Sequence, residues 1–122
     1  MPSRLRPGRV DEVAAALGRV REDRAAPGDL RLLTRHFLAL LEREHPGKSV
    51  EVRVPPFAAI QCVAGARHTR GTPPAVVETD PETWVRLAAG DLSWPVAVAA
   101  GQVRASGERS DLSTLLPIRP GR

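Results

Sequence analysis

The apolar period of this chain changes from helical to extended around Pro46-Gly47, and that change constrains the fold more than any other feature. Upstream, Leu30, Leu33, Phe37, Leu40 and Leu41 form the stripe of an amphipathic helix, with Asp29 placed to cap it. Downstream, Val50, Val52 and Val54 alternate strictly with Glu51 and Arg53, the pattern of a half-buried strand, which Pro55-Pro56 ends. Phe57 to Val63 and Ala75 to Thr79 are two further apolar runs of strand length, separated by the polar segment Ala64 to Pro74. Both periods in one short chain predict a mixed α/β fold with at least three strands in this stretch. With 122 residues, there is room for one domain and no second core.

The flanks extend the pattern. Val10, Val13, Ala14, Leu17 and Val20 predict a helix over about 11–23, with Asp11 as its N-cap and Ala25-Ala26-Pro27-Gly28 as its break. Asp80-Pro81-Glu82 supplies a cap, a first-turn proline and a carboxylate for a helix carrying Trp84, Leu87 and Ala88 and ending near Gly90. Ser93 is placed to cap a short helix through Ala100 that Gly101 closes, and Gln102 to Ser106 reads as a strand burying Val103 and Ala105. Ser110 or Asp111 would cap a last short helix carrying Leu112, Leu115 and Leu116 before Pro117.

Composition narrows the function classes. At 42% hydrophobic and 26% charged residues, the chain has enough apolar content to fold. No stretch approaches the roughly 20 apolar residues of a membrane span, so no membrane insertion is expected. Asp11 and Glu12 stand where a signal peptide would need an apolar region, and Cys62 is the lone cysteine, which together point to the cytoplasm. The formal charge of +4 comes almost wholly from arginine, Lys48 being the one lysine. Those arginines are interleaved with Asp and Glu, and aromatic residues are few, so no nucleic-acid partner is predicted.

One series of residues points to a family. Thr79-Asp80-Pro81-Glu82-Thr83-Trp84-Val85-Arg86-Leu87-Ala88-Ala89-Gly90, then Leu92-Ser93, Ala97 to Gly101, and Val103-Arg104-Ala105-Ser106-Gly107 resemble the sterol carrier protein 2 (SCP-2) family over about residues 79–116. The stretch Pro55 to Cys62, continuing through Arg67 to Pro74, is similar to small stand-alone bacterial members of that superfamily. The resemblance implies an α+β fold, a mostly antiparallel five-stranded sheet with helices on one face, and an apolar tunnel between them. It divides the chain into a leader and helix (1–27), an SCP-2-like domain (28–118) and a polar tail (119–122). The C-terminal apolar segment, Leu112 to Ile118, is shorter than the terminal helix that walls the tunnel in lipid-transfer relatives.

These readings give a non-enzymatic binder of a hydrophobic small molecule, a lipid or acyl compound, with no cofactor and no metal. Its apolar walls are expected from Trp84, Leu87, Leu92, Trp94, Val98, Val103, Leu112, Leu115 and Leu116. For both tryptophans, lining a tunnel and filling the core fit the spacing equally. Arg67, His68, Thr69, Arg70 and Thr72 either converge on an anionic headgroup or form a solvated loop. Cys62 fits a buried small hydrophobe better than a reactive thiol. His45 is explained by its place at a helix C-terminus, and Asp80 and Glu82 by helix capping and the helix dipole. Glu78 has no such explanation, and no nucleophile elbow, phosphate loop or metal-ligand spacing is present. The alternative function is a protein-interaction module, or a homodimer, docking through the 11–23 helix and its Val13, Leu17 and Val20 stripe.

Overall fold

The computed structural model describes residues 5–65, 75–107 and 110–118. Helices α1 (Val10–Arg21) and α2 (Asp29–Glu44) come first, followed by strands β1 (Val50–Val54), β2 (Ala58–Cys62) and β3 (Ala75–Thr79). Helices α3 (Pro81–Ala89) and α4 (Trp94–Ala99) lead to strand β4 (Val103–Ser106). The strands form one sheet in the order β2-β1-β3-β4. The pairs β1/β2 and β3/β4 are antiparallel, whereas β1 and β3 run parallel. The mixed α/β class and the mostly antiparallel pairing match the sequence expectation, with four strands in the sheet among the described residues.

Strand alternation decides which face is covered. Val50, Val52 and Val54 are fully buried, and Ile60, Cys62, Ala75, Val77 and Thr79 join them on the same face. Their neighbours Arg53, Gln61 and Arg104 are exposed, and Glu51 and Glu78 are half-buried, so the opposite face meets water. Register places Arg53 beside Glu78, and Glu78 beside Arg104, alternating charges across three strands. Helix α2 packs over β2 and against both α1 and α3. Its buried side holds Leu33, Phe37, Leu38, Leu40 and Leu41.

Several local expectations need correction. Helix α1 has Arg9 at its N-cap with no side-chain bond, and Asp11 lies inside the first turn. Asp29 is the first residue of α2, after Gly28 at φ 89°, because its carboxylate is turned back on other partners. It accepts from the Ala26 amide at 2.8 Å and from Arg19 Nε and Nη2 at 2.8 and 3.0 Å. The Arg19 bonds come first in holding that carboxyl below its ordinary value. Ala105 is exposed on β4, which among the described residues is an edge strand with β3 as its neighbour. Residues 112–116 make a single turn, closed by Leu115 N–H to Leu112 O, in place of the expected short helix.

A tight backbone junction joins the end of β2 to the segment before β1. Val63 sits at φ 66°, a conformation that a β-branched side chain strongly disfavours. Its N–H donates to His45 O at 2.6 Å, and its carbonyl accepts from the Ser49 amide and hydroxyl at 3.1 and 2.5 Å. A Cβ at Gly47 would lie 2.1 Å from that same carbonyl oxygen, so only glycine fits there.

Candidate ligand site

The apolar layer between the sheet and the helices is built around Trp84. Asp80 caps α3 by accepting from the Thr83 amide at 3.0 Å and the Thr83 hydroxyl at 2.6 Å. Desolvation opposes ionisation of Asp80, but those bonds outweigh it and hold the carboxyl below its usual value. The cap fixes the helix so that Trp84 is 1% exposed, with its indole N–H donating to Thr34 O on α2 at 3.2 Å. Leu87, Trp94, Val103 and Leu112 are buried in the same cluster, and Leu92, Leu115 and Leu116 pack on it as half-buried residues. Val98 stands apart, 42% exposed on α4.

The C-terminal segment 110–118 covers one side of this layer without forming a helix or a strand. Leu112 and Ile118 are buried, and Ile118 N–H donates to Ala88 O at the end of α3, at 2.8 Å. Leu115 and Leu116 are half-buried against the same cluster. Arg67, His68, Thr69, Arg70 and Thr72 lie outside the described residues.

An open apolar groove of about 280 Å³ lies elsewhere, between α1, α2 and the end of the C-terminal segment. Its walls include Val13, Ala14, Leu17, His36, Phe37 and Ile118. Arg21 also lines it, with its guanidinium held by Asp91 at 2.7 and 3.1 Å. His36 is 3% exposed, its Nδ1 accepts from the Gly8 amide at 2.9 Å, and its ring meets Phe37 edge to face. The ring's Nε2 is buried with no hydrogen-bond partner among the described residues. Burial pushes the His36 pKa down, which keeps the imidazole neutral.

The groove residues were legible only in part. Val13, Leu17 and Val20 are the stripe that the sequence offers for docking a partner. In the fold that stripe faces α2, with Val13 and Ala16 buried and Leu17 and Val20 half-buried. His36 had a signal of its own, a polar residue three positions after Leu33 and four before Leu40, on the buried side of the strongest helix.

The candidate reactive groups resolve into structural roles or burial. Cys62 is fully buried, and burial, then the Glu42 charge, pushes its thiol up to about 11, so it remains protonated near neutral pH. His45 occupies the C-cap of α2. Glu82 is exposed in the first turn of α3. Glu78, with Asp80 and Arg104, borders a shallow cleft of about 320 Å³ at the ends of β1 and β3. No helix among the described residues is long and apolar enough to cross a membrane.

The chain matches a known family. The sequence model of the family described as "Bacterial SCP ortholog" matches residues 23–118, spanning everything from the end of α1 to the C-terminal cover. No curated protein matches the chain.

Proposed function

Because the chain belongs to the family of bacterial sterol-carrier-protein orthologues, we propose that it binds and carries a hydrophobic small molecule, a lipid or acyl compound, without breaking a bond. The family match over residues 23–118 is the observation that carries this reading. It is supported by an apolar layer of Trp84, Leu87, Trp94, Val103 and Leu112 beneath a C-terminal segment with no regular structure of its own. In this reading, Leu92, Leu115 and Leu116 complete the wall and Val98 marks its outer edge. A fifth strand completes the sheet, and the ligand enters by displacing segment 110–118. Arg67, His68, Thr69, Arg70 and Thr72 meet the polar end of the ligand. The protein works in the cytoplasm. Affinity would come from buried apolar area, about 25 cal/mol per Å², less the cost of ordering both partners.

Lipid-focused mass spectrometry of protein purified without denaturation tests the proposal, with displacement of an apolar fluorophore as its quantitative companion. A stoichiometric lipid that competes with the fluorophore is the expected result. Empty extracts, together with failure of fatty acids, acyl-CoA and sterols to compete, would overturn the carrier reading and leave the interaction module.

A further inference from the structure

We infer that the gap between α1 and α3 is a binding trough for an elongated single-chain amphiphile with a positively charged head, an ammonium group. Its tail lies beside Val13 and Ile118, and its head beside Asp23 and Glu82. As a ligand site it rests on the carrier reading only in that the protein takes apolar ligands, and it stands outside the walls that the sequence predicts.

The trough exists because two helices share a support without packing closely on each other. Helix α2 packs against both α1 and α3, whereas among the described residues α1 and α3 make no comparable contact. Two hollows occupy the space between them. One is the apolar groove of about 280 Å³, which reaches Ala89 at the end of α3. The other, of about 370 Å³, runs from Val20 and Asp23 to Glu82 and Val85 on α3. Each alone is near the lower end of the usual size for small-molecule pockets. The two share Leu17 and Arg21, which stand one turn apart on α1. Arg21 crosses the gap to Asp91 at 2.7 and 3.1 Å. The side chains of that pair are 48% and 37% exposed, so it spans the mouth of the trough, and the half-buried Leu17 continues the apolar surface from one hollow to the next. The 12 residues of α1 extend over about 18 Å, a length that suits a chain rather than a compact ring.

Charge sets the head. No carboxylate lines the apolar groove, and its cation, Arg21, is engaged by Asp91. The second hollow carries Asp23, Glu82 and Asp91 against Arg21 and Arg86, which leaves one negative charge in excess. In a chain of net charge +4, that local reversal of sign complements an ammonium head and repels a carboxylate. The apolar half takes the tail, because burying a charge there without a partner is costly.

Amide NMR of the full chain, titrated with octyl- and dodecyltrimethylammonium and with dodecanoate, each below its micelle concentration, tests the assignment. The expected result is saturable shifts on both sides of Arg21, at Val13, Leu17, Asp23 and Glu82. Affinity should rise about fourfold per added methylene from the octyl to the dodecyl probe. Dodecyltrimethylammonium should bind about tenfold tighter than dodecanoate. Asp23→Asn with Glu82→Gln, both at exposed positions, should remove that preference and keep the chain-length dependence. Ala14→Trp, at an exposed position of the groove wall, should abolish binding of every probe without unfolding the protein. Dodecanoate binding as tight as that of the ammonium probe would overturn the charge assignment. Shifts confined to one side of Arg21, with no gain from octyl to dodecyl, would overturn the continuous trough. Saturable shifts confined to Trp84, Val103 and Leu115, indifferent to Ala14→Trp, would overturn this site while leaving the carrier reading intact. No saturable shift with any probe would overturn this site as well, whereas a lipid recovered by mass spectrometry would still uphold the carrier reading.

Discussion

Helices α1 and α3 are held in place by opposite means. Helix α3 carries its own instructions: Asp80 caps it, Pro81 opens it, and Gly90 at φ 89° closes it with its amide bonded to Leu87 O. Helix α1 has no capping side chain, and its position depends on distant partners. Arg19 reaches Asp29, Arg21 reaches Asp91, and Gly8 just ahead of the helix reaches His36. Locally specified structure builds the closed core around Trp84, whereas structure specified at a distance borders the open groove. Helix α1 is thus fixed by its packing on α2 and by long-range polar ties, and α3 by its own caps as well.

Four measurements would break or sharpen that contrast. Trp84→Ala should cost about 3–5 kcal/mol in denaturant unfolding, by emptying the core and removing the bond to Thr34 O. Leu17→Ala, half-buried in α1, should cost clearly less, and an equal loss would erase the distinction between the two regions. The second effect is in pH. Burial depresses His36, so below its ordinary value of 6.5 the unfolded chain takes up a proton that the folded chain excludes. Stability should therefore fall as pH drops from 6.5 toward 5, by no more than about 1.4 kcal/mol per pH unit. It should stay flat with respect to this group above 6.5. His36→Leu should flatten the acid side of the curve, and a slope that persists in that variant would assign the effect elsewhere.

The third effect is smaller. Asp80→Ala should lose about 1 kcal/mol through the missing cap, whereas Asp11→Ala, at the position that only resembles a cap, should stay within about 0.5 kcal/mol of the parent. Similar losses from both would mean that α1 is capped after all. Smallest is the Arg21–Asp91 pair, half-exposed on both sides, where a double-mutant cycle should return about 0.5 kcal/mol. A coupling several times larger would mark this pair as the main tie holding α1 to the end of α3.

The difference in legibility follows from the same contrast. Asp80, Pro81 and Gly90 act within a few residues of themselves, so sequence alone places α3 correctly and puts Trp84 in its interior. Val50, Val52 and Val54 are equally readable, because a period of two has one interpretation when one face is covered. Asp11 and Asp29 mislead for the complementary reason. Each has the chemistry of a cap, but Asp29 is drawn to Arg19, ten positions away, a partner that no local pattern reveals. Ala105 fails because alternation names a face and says nothing of whether the sheet's edge is covered. Belonging to the carrier family was readable from the series Thr79 to Gly107 and agrees with the match over 23–118. His36 escaped notice because an unpartnered Nε2 exists only once Gly8 has folded onto Nδ1.

The strand register has a consequence for the chain between β2 and β3. Cys62 and Ala75 both pair with Val50, one on each side of it. Adjacent strands lie about 4.8 Å apart, so the two ends of the connection stand about 10 Å from each other, a gap that three extended residues can bridge. The chain uses residues 63–74 for it. The register alone therefore requires only a fraction of that number of residues. Arg67 to Thr72 lie within that connection.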